Sequence, residues 1–326
     1  MPVSIGRREL ITGLVGAAAW PLAARGQHAE RIRHIGILLF AEQDRAVIRP
    51  CLQELQTLGY VDGKSVAIDY RDAEGRYERL PELAAELVRL NPDVIYSFGG
   101  EQAPIVKRAT ASIPIVVVVS NDPVATGLVA SLARPGGNVT GLTYVHDQLA
   151  GKTIELLRDA APWVSRVAIL WNPNHTDPEF RETQRAASTL RIPLQSLEVR
   201  EPRDFEGAFQ AATRGRAEAL IVLGSRLMYL HRQQIGDFAA KNCLIVVGTP
   251  KWLSDVECLL TYGPNPAELQ RRAASYVSKI LKGAKPADLP MQQPTAFDLI
   301  INLKIAKALG IEIPPTLLAR ADEVIE

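Results

Sequence analysis

Residues 93–104, Asp93-Val94-Ile95-Tyr96-Ser97-Phe98-Gly99-Gly100-Glu101-Gln102-Ala103-Pro104, constrain the fold more than any other stretch. An apolar run stops at two glycines, and a helix-compatible run, residues 105–109, follows. A short apolar run bounded by turn signals suits a strand covered on both faces, as in parallel sheets. Two glycines let the backbone bend sharply and let another molecule approach with no Cβ between them. The first N–H groups of the next helix have no partner inside it and can receive a carboxylate or phosphate. In an open α/β sheet, ligands lie outside the carboxyl ends of the strands.

The rest of the chain repeats this unit. Strand patterns over 32–40, 65–70, 113–120 and 139–144 alternate with helical patterns over 44–58, 80–90 and 124–132. In the first helix Val47, Ile48, Cys51, Leu52, Leu55 and Leu58 recur at helical spacing, Asp44 reads as its cap and Gly59 closes it. The plan then restarts. Strands are expected over 167–171, 194–199, 219–223, 244–247, 259–262 and 299–303. Helices are expected over 152–160, 178–190, 204–214, 228–241, 266–281 and 305–309. Alternation of this kind predicts an α/β chain of two similar, doubly wound parallel-sheet lobes with a ligand cleft between them.

Composition narrows the function. Of 326 residues 47% are hydrophobic and 22% charged, a globular balance. The formal charge is +1, so no basic surplus calls for nucleic acid. The histidines are scattered, so spacing indicates no metal site, and no cofactor motif is present. Residues 1–26 read as an export signal: Arg7-Arg8, an apolar core over 10–19, then Ala23-Ala24-Arg25-Gly26. The paired arginines admit the twin-arginine route. Its loss leaves 34 basic and 35 acidic residues, a net charge of −1.

Several ordered motifs carry a resemblance. They are Arg7-Arg8-Glu9-Leu10-Ile11 with Ala19-Trp20-Pro21-Leu22-Ala23-Ala24-Arg25, and Gly59-Tyr60-Val61-Asp62-Gly63 with Tyr70-Arg71-Asp72-Ala73-Glu74-Gly75. Asp122-Pro123-Val124 and Arg134-Pro135-Gly136-Gly137-Asn138-Val139-Thr140-Gly141 follow. Lys285-Pro286-Ala287-Asp288-Leu289-Pro290 and Pro314-Pro315-Thr316-Leu317-Leu318-Ala319-Arg320-Ala321-Asp322 close the set. With these the chain resembles the tryptophan/tyrosine-type substrate-binding proteins of ABC transporters. The resemblance implies a type I periplasmic-binding fold with three crossings between lobes. The domain plan expected from it is lobe 1 over 27–145 plus about 263–284, and lobe 2 over 146–262 plus about 285–326. It implies a periplasmic monomer that closes on a small organic ligand, such as an amino acid or an aromatic or branched small acid, and hands it to an ABC permease. By the same analogy the cleft uses Phe40, Gly99, Gly100, Glu101, Gln102, Asn121, Asp122, Thr143, Asn172, Asn174, Ser225 and Tyr262. The chain departs from the family pattern at Phe40-Ala41-Glu42-Gln43-Asp44, where small residues are common, and at His175 and Asp177.

Each of these positions also has a plainer reading. Residues 99–102 either hold an acidic ligand group or form an ordinary strand-to-helix turn, and Glu101 opposes a strongly anionic ligand. Asn121 and Asp122 either bind a ligand amine or cap a helix. Asn172 and Asn174 either offer donors and acceptors or fold the turn around Pro173. Tyr262 and Trp252 are stacking faces or core, and His175 touches the ligand or is a solvated loop residue. Cys243 and Cys258 each precede a short apolar strand; a disulfide and two separate thiols are both open, the first favoured by an oxidising compartment. Two other functions remain, an exported α/β hydrolase or oxidoreductase and a ligand-sensing receptor subunit. No G-x-G-x-x-G follows the first strand, and no P-loop or G-x-S-x-G occurs.

Overall fold

The computed structural model describes residues 32–144, 149–175 and 179–326. The expected export signal, residues 1–26, and Asp177 lie outside them. Lobe 1 runs β1 (Arg33–Leu39), α1 (Asp44–Thr57), β2 (Val66–Asp72), α2 (Leu80–Arg89), β3 (Val94–Phe98), α3 (Gln102–Ala109), β4 (Ile115–Val119) and β5 (Val139–Thr143). Its sheet is wholly parallel in the order β2-β1-β3-β4-β5. Ile115 to Val119 are buried at every position because helices cover both faces. One core packs on α1 and the other on α2 and α3.

Lobe 2 starts with α4 (Ala150–Ala160), β6 (Val167–Trp171), α5 (Glu179–Thr189), β7 (Leu194–Glu198), α6 (Asp204–Arg214) and β8 (Ala219–Val222). It continues with α7 (Arg226–Leu230), α8 (Arg232–Lys241), β9 (Ile245–Gly248) and β10 (Leu260–Pro264). The chain then crosses back, and α9 (Pro266–Leu281) packs on the lobe 1 sheet beside α1, through Leu269, Ala273 and Val277. It crosses again into β11 (Phe297–Asn302), followed by α10 (Leu303–Ala308), α11 (Pro315–Leu318) and β12 (Glu323–Ile325). The lobe 2 sheet has the order β12-β11-β10-β9-β8-β6-β7. Its first five strands, β7-β6-β8-β9-β10, repeat the lobe 1 order.

The structure departs from the expected layout in four places. First, the lobe 2 sheet is mixed: β11 runs antiparallel to β10, pairing Pro264 with Phe297 and Leu260 with Ile301. The chain re-enters this lobe at the end where β10 finishes, so its next strand must run back down. Second, the return to lobe 1 extends past 284. Thr140 Oγ1 donates to the Leu289 carbonyl, Gln292 exchanges backbone bonds with Gly141 and Thr143, and Met291 joins the lobe 1 core. Third, residues 124–132 form turns instead of a helix. Asp122 draws its side chain onto the Val124 and Ala125 N–H groups, and Gly127 takes φ +67°, outside the helical region. Fourth, the helix expected over 228–241 is two, α7 and α8, broken at His231.

Cys243 and Cys258 are separate thiols. Cys243 is exposed in the turn after α8 at φ +51°, whereas Cys258 is buried with Sγ 3.3 Å from the Val246 carbonyl. Leu260 pairs with Val247, which sets Cys258 level with Ile245, two residues beyond Cys243. That offset of about 7 Å along the strand, added to the spacing between strands, exceeds what a disulfide spans.

Candidate functional site

In a sheet of order 2-1-3-4-5 the strand direction of winding reverses between the first and third strands, and ligands lie at that point. In lobe 1 the two turns are those after β1 and β3. In lobe 2 they are those after β6 and β8. These four turns meet.

The β3 turn begins at Gly99, whose φ of +106° suits glycine alone. A Cβ there would collide with the Gln102 amide, and one on Gly100 would stand 2.8 Å from Asn121 Nδ2. The missing side chains therefore let two primary amides lie over the turn. Asn121 Nδ2 donates to the Gly100 carbonyl at 3.3 Å, and its Oδ1 has no partner. Gln102, at the start of α3, is 1% exposed, yet neither Oε1 nor Nε2 has a hydrogen bond.

Two charged contacts bridge the lobes beside these amides. Asp44 of lobe 1 receives both Nη groups of Arg226 of lobe 2, the second at 2.9 Å. Asp44 is fully buried and the Arg226 side chain is 7% exposed. Asp44 Oδ2 also accepts the Phe40 N–H at 2.9 Å, so this carboxylate is saturated. Burial works against the Arg226 charge, but the bonds and charge of Asp44 hold its pKa above the ordinary value. The Arg226 guanidinium lies 5.0 Å from the Phe40 ring, which in turn packs at 4.4 Å on Tyr77.

The second contact joins Glu101 of lobe 1 to His175 of lobe 2. Glu101 Oε1 is 3.8 Å from His175 Nδ1, and His175 Nε2 is 3.3 Å from Ser120 Oγ. Burial pushes the Glu101 carboxyl up, but His175 and the Arg226 charge pull it down further, so it sits below the usual carboxylate range. The arrangement can neutralise and orient a small ligand carrying both charged and hydrogen-bonding groups.

Among the residues expected at the cleft, Phe40, Gly99, Gly100, Glu101, Gln102 and Asn121 come together here, and His175 joins them. The others are committed locally. Asp122 serves its own turn, and Ser225 caps α7 by accepting the Met228 N–H. Thr143 Oγ1 donates to the Asn121 carbonyl at 3.3 Å, which steadies that residue from behind. Asn172 Oδ1 accepts the Asn174 N–H in the β6 turn, and Asn174 is exposed. Tyr262 packs into the lobe 2 core, 6.1 Å from the Phe297 ring. Sequence reasoning passed over Ser120, Tyr77 and Arg226 and took Asp44 for a helix cap. The available signal was position: each stands at or just beyond a strand end that the alternation places at the cleft.

A separate open hollow of about 560 Å³ lies at the outer edge of lobe 2 along β7 and α6. Its charged groups are solvated pairs such as Arg200 with Glu198 and Arg203 with Glu201. It holds no buried polar group aimed inward. Among the described residues no cluster of His, Cys, Asp and Glu could hold a metal ion, and no helix is long and apolar enough to cross a membrane.

The family model for ABC transporter substrate binding proteins matches residues 34–325. A tyrosine-binding protein of Clostridioides difficile (strain R20291) is 24% identical over 290 residues, spanning 87% of this chain and 83% of that one. A conserved domain protein from Vibrio cholerae is 27% identical in its crystal structure, with a TM-score of 0.84 over 90% of this chain and 100% of that one. An ABC domain from Streptococcus pneumonia, solved with L-Trp, is 23% identical with the same TM-score and the same coverage.

Proposed function

The chain belongs to the ABC transporter substrate-binding protein family, and on that footing we propose that its interlobe site takes an α-amino acid with an aromatic side chain. Proteins of this family capture a small organic ligand, and the family implies its delivery to an ABC permease. The observation that carries the amino-acid reading is Gln102: a buried primary amide with neither its donors nor its acceptor used. Buried polar groups are otherwise nearly always paired, so such an amide marks the place of a polar partner. Around it stand the groups a zwitterion needs. Glu101 is an acceptor for an ammonium. The Gln102 amide and the start of α3 face a carboxylate with donors. The Phe40 and Tyr77 rings supply an aromatic wall. The names of two relatives point the same way, one tyrosine-binding and one solved with L-Trp.

The reading is binding without catalysis. Asp44 and Arg226 saturate one another, so neither is a poised acid or base. Residues 1–26 serve as the export signal to the periplasm, where the protein works as a monomer, and Arg7-Arg8 support the twin-arginine route.

Calorimetric titration of the full chain with L-tyrosine, L-tryptophan, L-leucine and a sugar tests the ligand class. Saturable binding of an aromatic amino acid, recovered unchanged, is expected. Binding of the sugar alone would overturn the ligand class, and conversion of the ligand to a product would overturn binding without catalysis.

A further inference from the structure

The two lobe-bridging contacts are not alike, and the difference says which end of the ligand the site demands. Asp44 and Arg226 form a closed unit: two parallel N–H···O bonds, with the Phe40 N–H added to the same carboxylate. Neither charge is left over. Glu101 differs. The ion-pair partner it has among the described residues, His175, stands off at 3.8 Å, and the His175 ring also reaches Ser120. Arg226 lies within electrostatic reach of Glu101 but gives both Nη groups to Asp44. Of the two acids, Glu101 is the less firmly held: its contact to His175 is long and that ring is shared with Ser120, whereas Asp44 is bound on both oxygens.

We infer that Glu101 is the specificity-determining residue of the site, and that it selects a ligand by its ammonium group more than by its carboxylate. The inference rests on the cleft being the ligand site. A carboxylate arriving here meets neutral amides, a helix start and an arginine already neutralised, with a carboxylate close by that repels it. An ammonium meets an anion whose own counter-charge is loose. A charge-assisted hydrogen bond between the two is about twice as strong as a neutral one. The amide atoms of Gln102 then serve the carboxylate end, which they can orient without full charge neutralisation. It follows that aromatic monoamines bind this protein and that the matching amine-free acids bind poorly or not at all.

The experiment is calorimetric titration of the full chain with three matched sets: L-tryptophan, tryptamine and 3-(indol-3-yl)propanoate, and the tyrosine counterparts. The amine is expected to bind at least tenfold more tightly than the acid. Glu101→Gln is expected to weaken the amino acid and the amine by about 10- to 100-fold each and to remove the preference of amine over acid. An acid that binds as tightly as its amine, or a folded Glu101→Gln protein with unchanged amino-acid affinity, overturns the inference while leaving the aromatic amino-acid reading in place. If no member of either set binds, that reading and the inference fall together. Should Glu101→Gln fail to fold, the ratio of amine to acid on the unaltered protein decides alone.

Discussion

In lobe 1 the turns after the first and third strands present Asp44 and Glu101; in lobe 2 the matching turns present His175 and Arg226. The two sheets share their order over five strands, so these positions correspond. The partners cross over: the first turn of each lobe meets the third turn of the other, as a two-fold relation between lobes requires. Charge, however, breaks the symmetry, with both acids on one lobe and both bases on the other. The scaffold thus fixes where contacts fall, and the turn residues decide their strength. One contact is a buried, bidentate pair and the other a looser one.

The sharpest way to break this comparison is to remove Asp44. Asp44→Asn leaves the Arg226 charge buried without its partner, and losing one member of a buried pair costs about 3–5 kcal/mol. The expected readout is a lower urea midpoint with an unchanged slope. The double change Asp44→Leu with Arg226→Leu is expected to cost less than Asp44→Asn alone, because no charge is then stranded. A cost for Asp44→Asn below about 1 kcal/mol would mean that the lobes part and water reaches the pair.

The glycines at the two third-strand turns sharpen the contrast next. A Cβ on Gly100 would press into Asn121 at 2.8 Å, whereas one on Gly224 meets only Pro250 Cγ at 3.1 Å. Gly100→Ala is expected to cost about 1–3 kcal/mol by overpacking and to weaken ligand binding, because the Asn121 amide must move. Gly224→Ala should cost less than that and leave affinity near its starting value. Paired thermal melts and titrations of the two variants check both statements; equal effects would show that the lobes contribute alike.

At the position that corresponds to Gln102, one past Arg226, lobe 2 has Leu227. Gln102→Met keeps its length and removes two unpaired polar atoms. The free protein should gain about 1 kcal/mol while losing ligand affinity, the sign expected where a site holds polar groups in reserve. A loss of stability would show that water or protein already serves the amide.

Much of this was legible in the sequence. The alternating runs specify two sheets with one winding, because strands buried on both faces must be apolar throughout. Gly99 announces its turn, since only glycine takes that backbone without strain, and Gly100 is small because a Cβ there would meet Asn121. What could not be read depends on contacts across the chain. The reversed β11 follows from where the chain re-enters lobe 2. Arg226, just after Ser225, looks like any charged residue after a strand until topology sets it against Asp44, 182 residues away. Asp44 itself reads as a cap because its neighbours resemble a helix start, while its carboxylate serves the preceding turn and the opposite lobe. Tyr262, an aromatic residue at a strand end, sits half-buried against the lobe 2 core, a placement set by strand pairing across the chain.

The smallest effect concerns Glu101 and pH. Its folded-state pKa lies below the usual carboxylate value of 4.5, with burial raising it and His175 and Arg226 lowering it by more. The folded protein therefore favours the anion, and the group contributes stability above the unfolded value that disappears as pH falls through the lowered folded one. The pair is long and partly wet, so the contribution is about 1 kcal/mol or less. The stability difference between the protein and its Glu101→Gln form should shrink as pH falls below the ordinary carboxylate range. Urea midpoints of both proteins at intervals across that range measure it. A difference that persists unchanged into strong acid would assign the effect of the substitution to packing instead of charge, and the looser of the two lobe contacts would then hold no electrostatic stability at all.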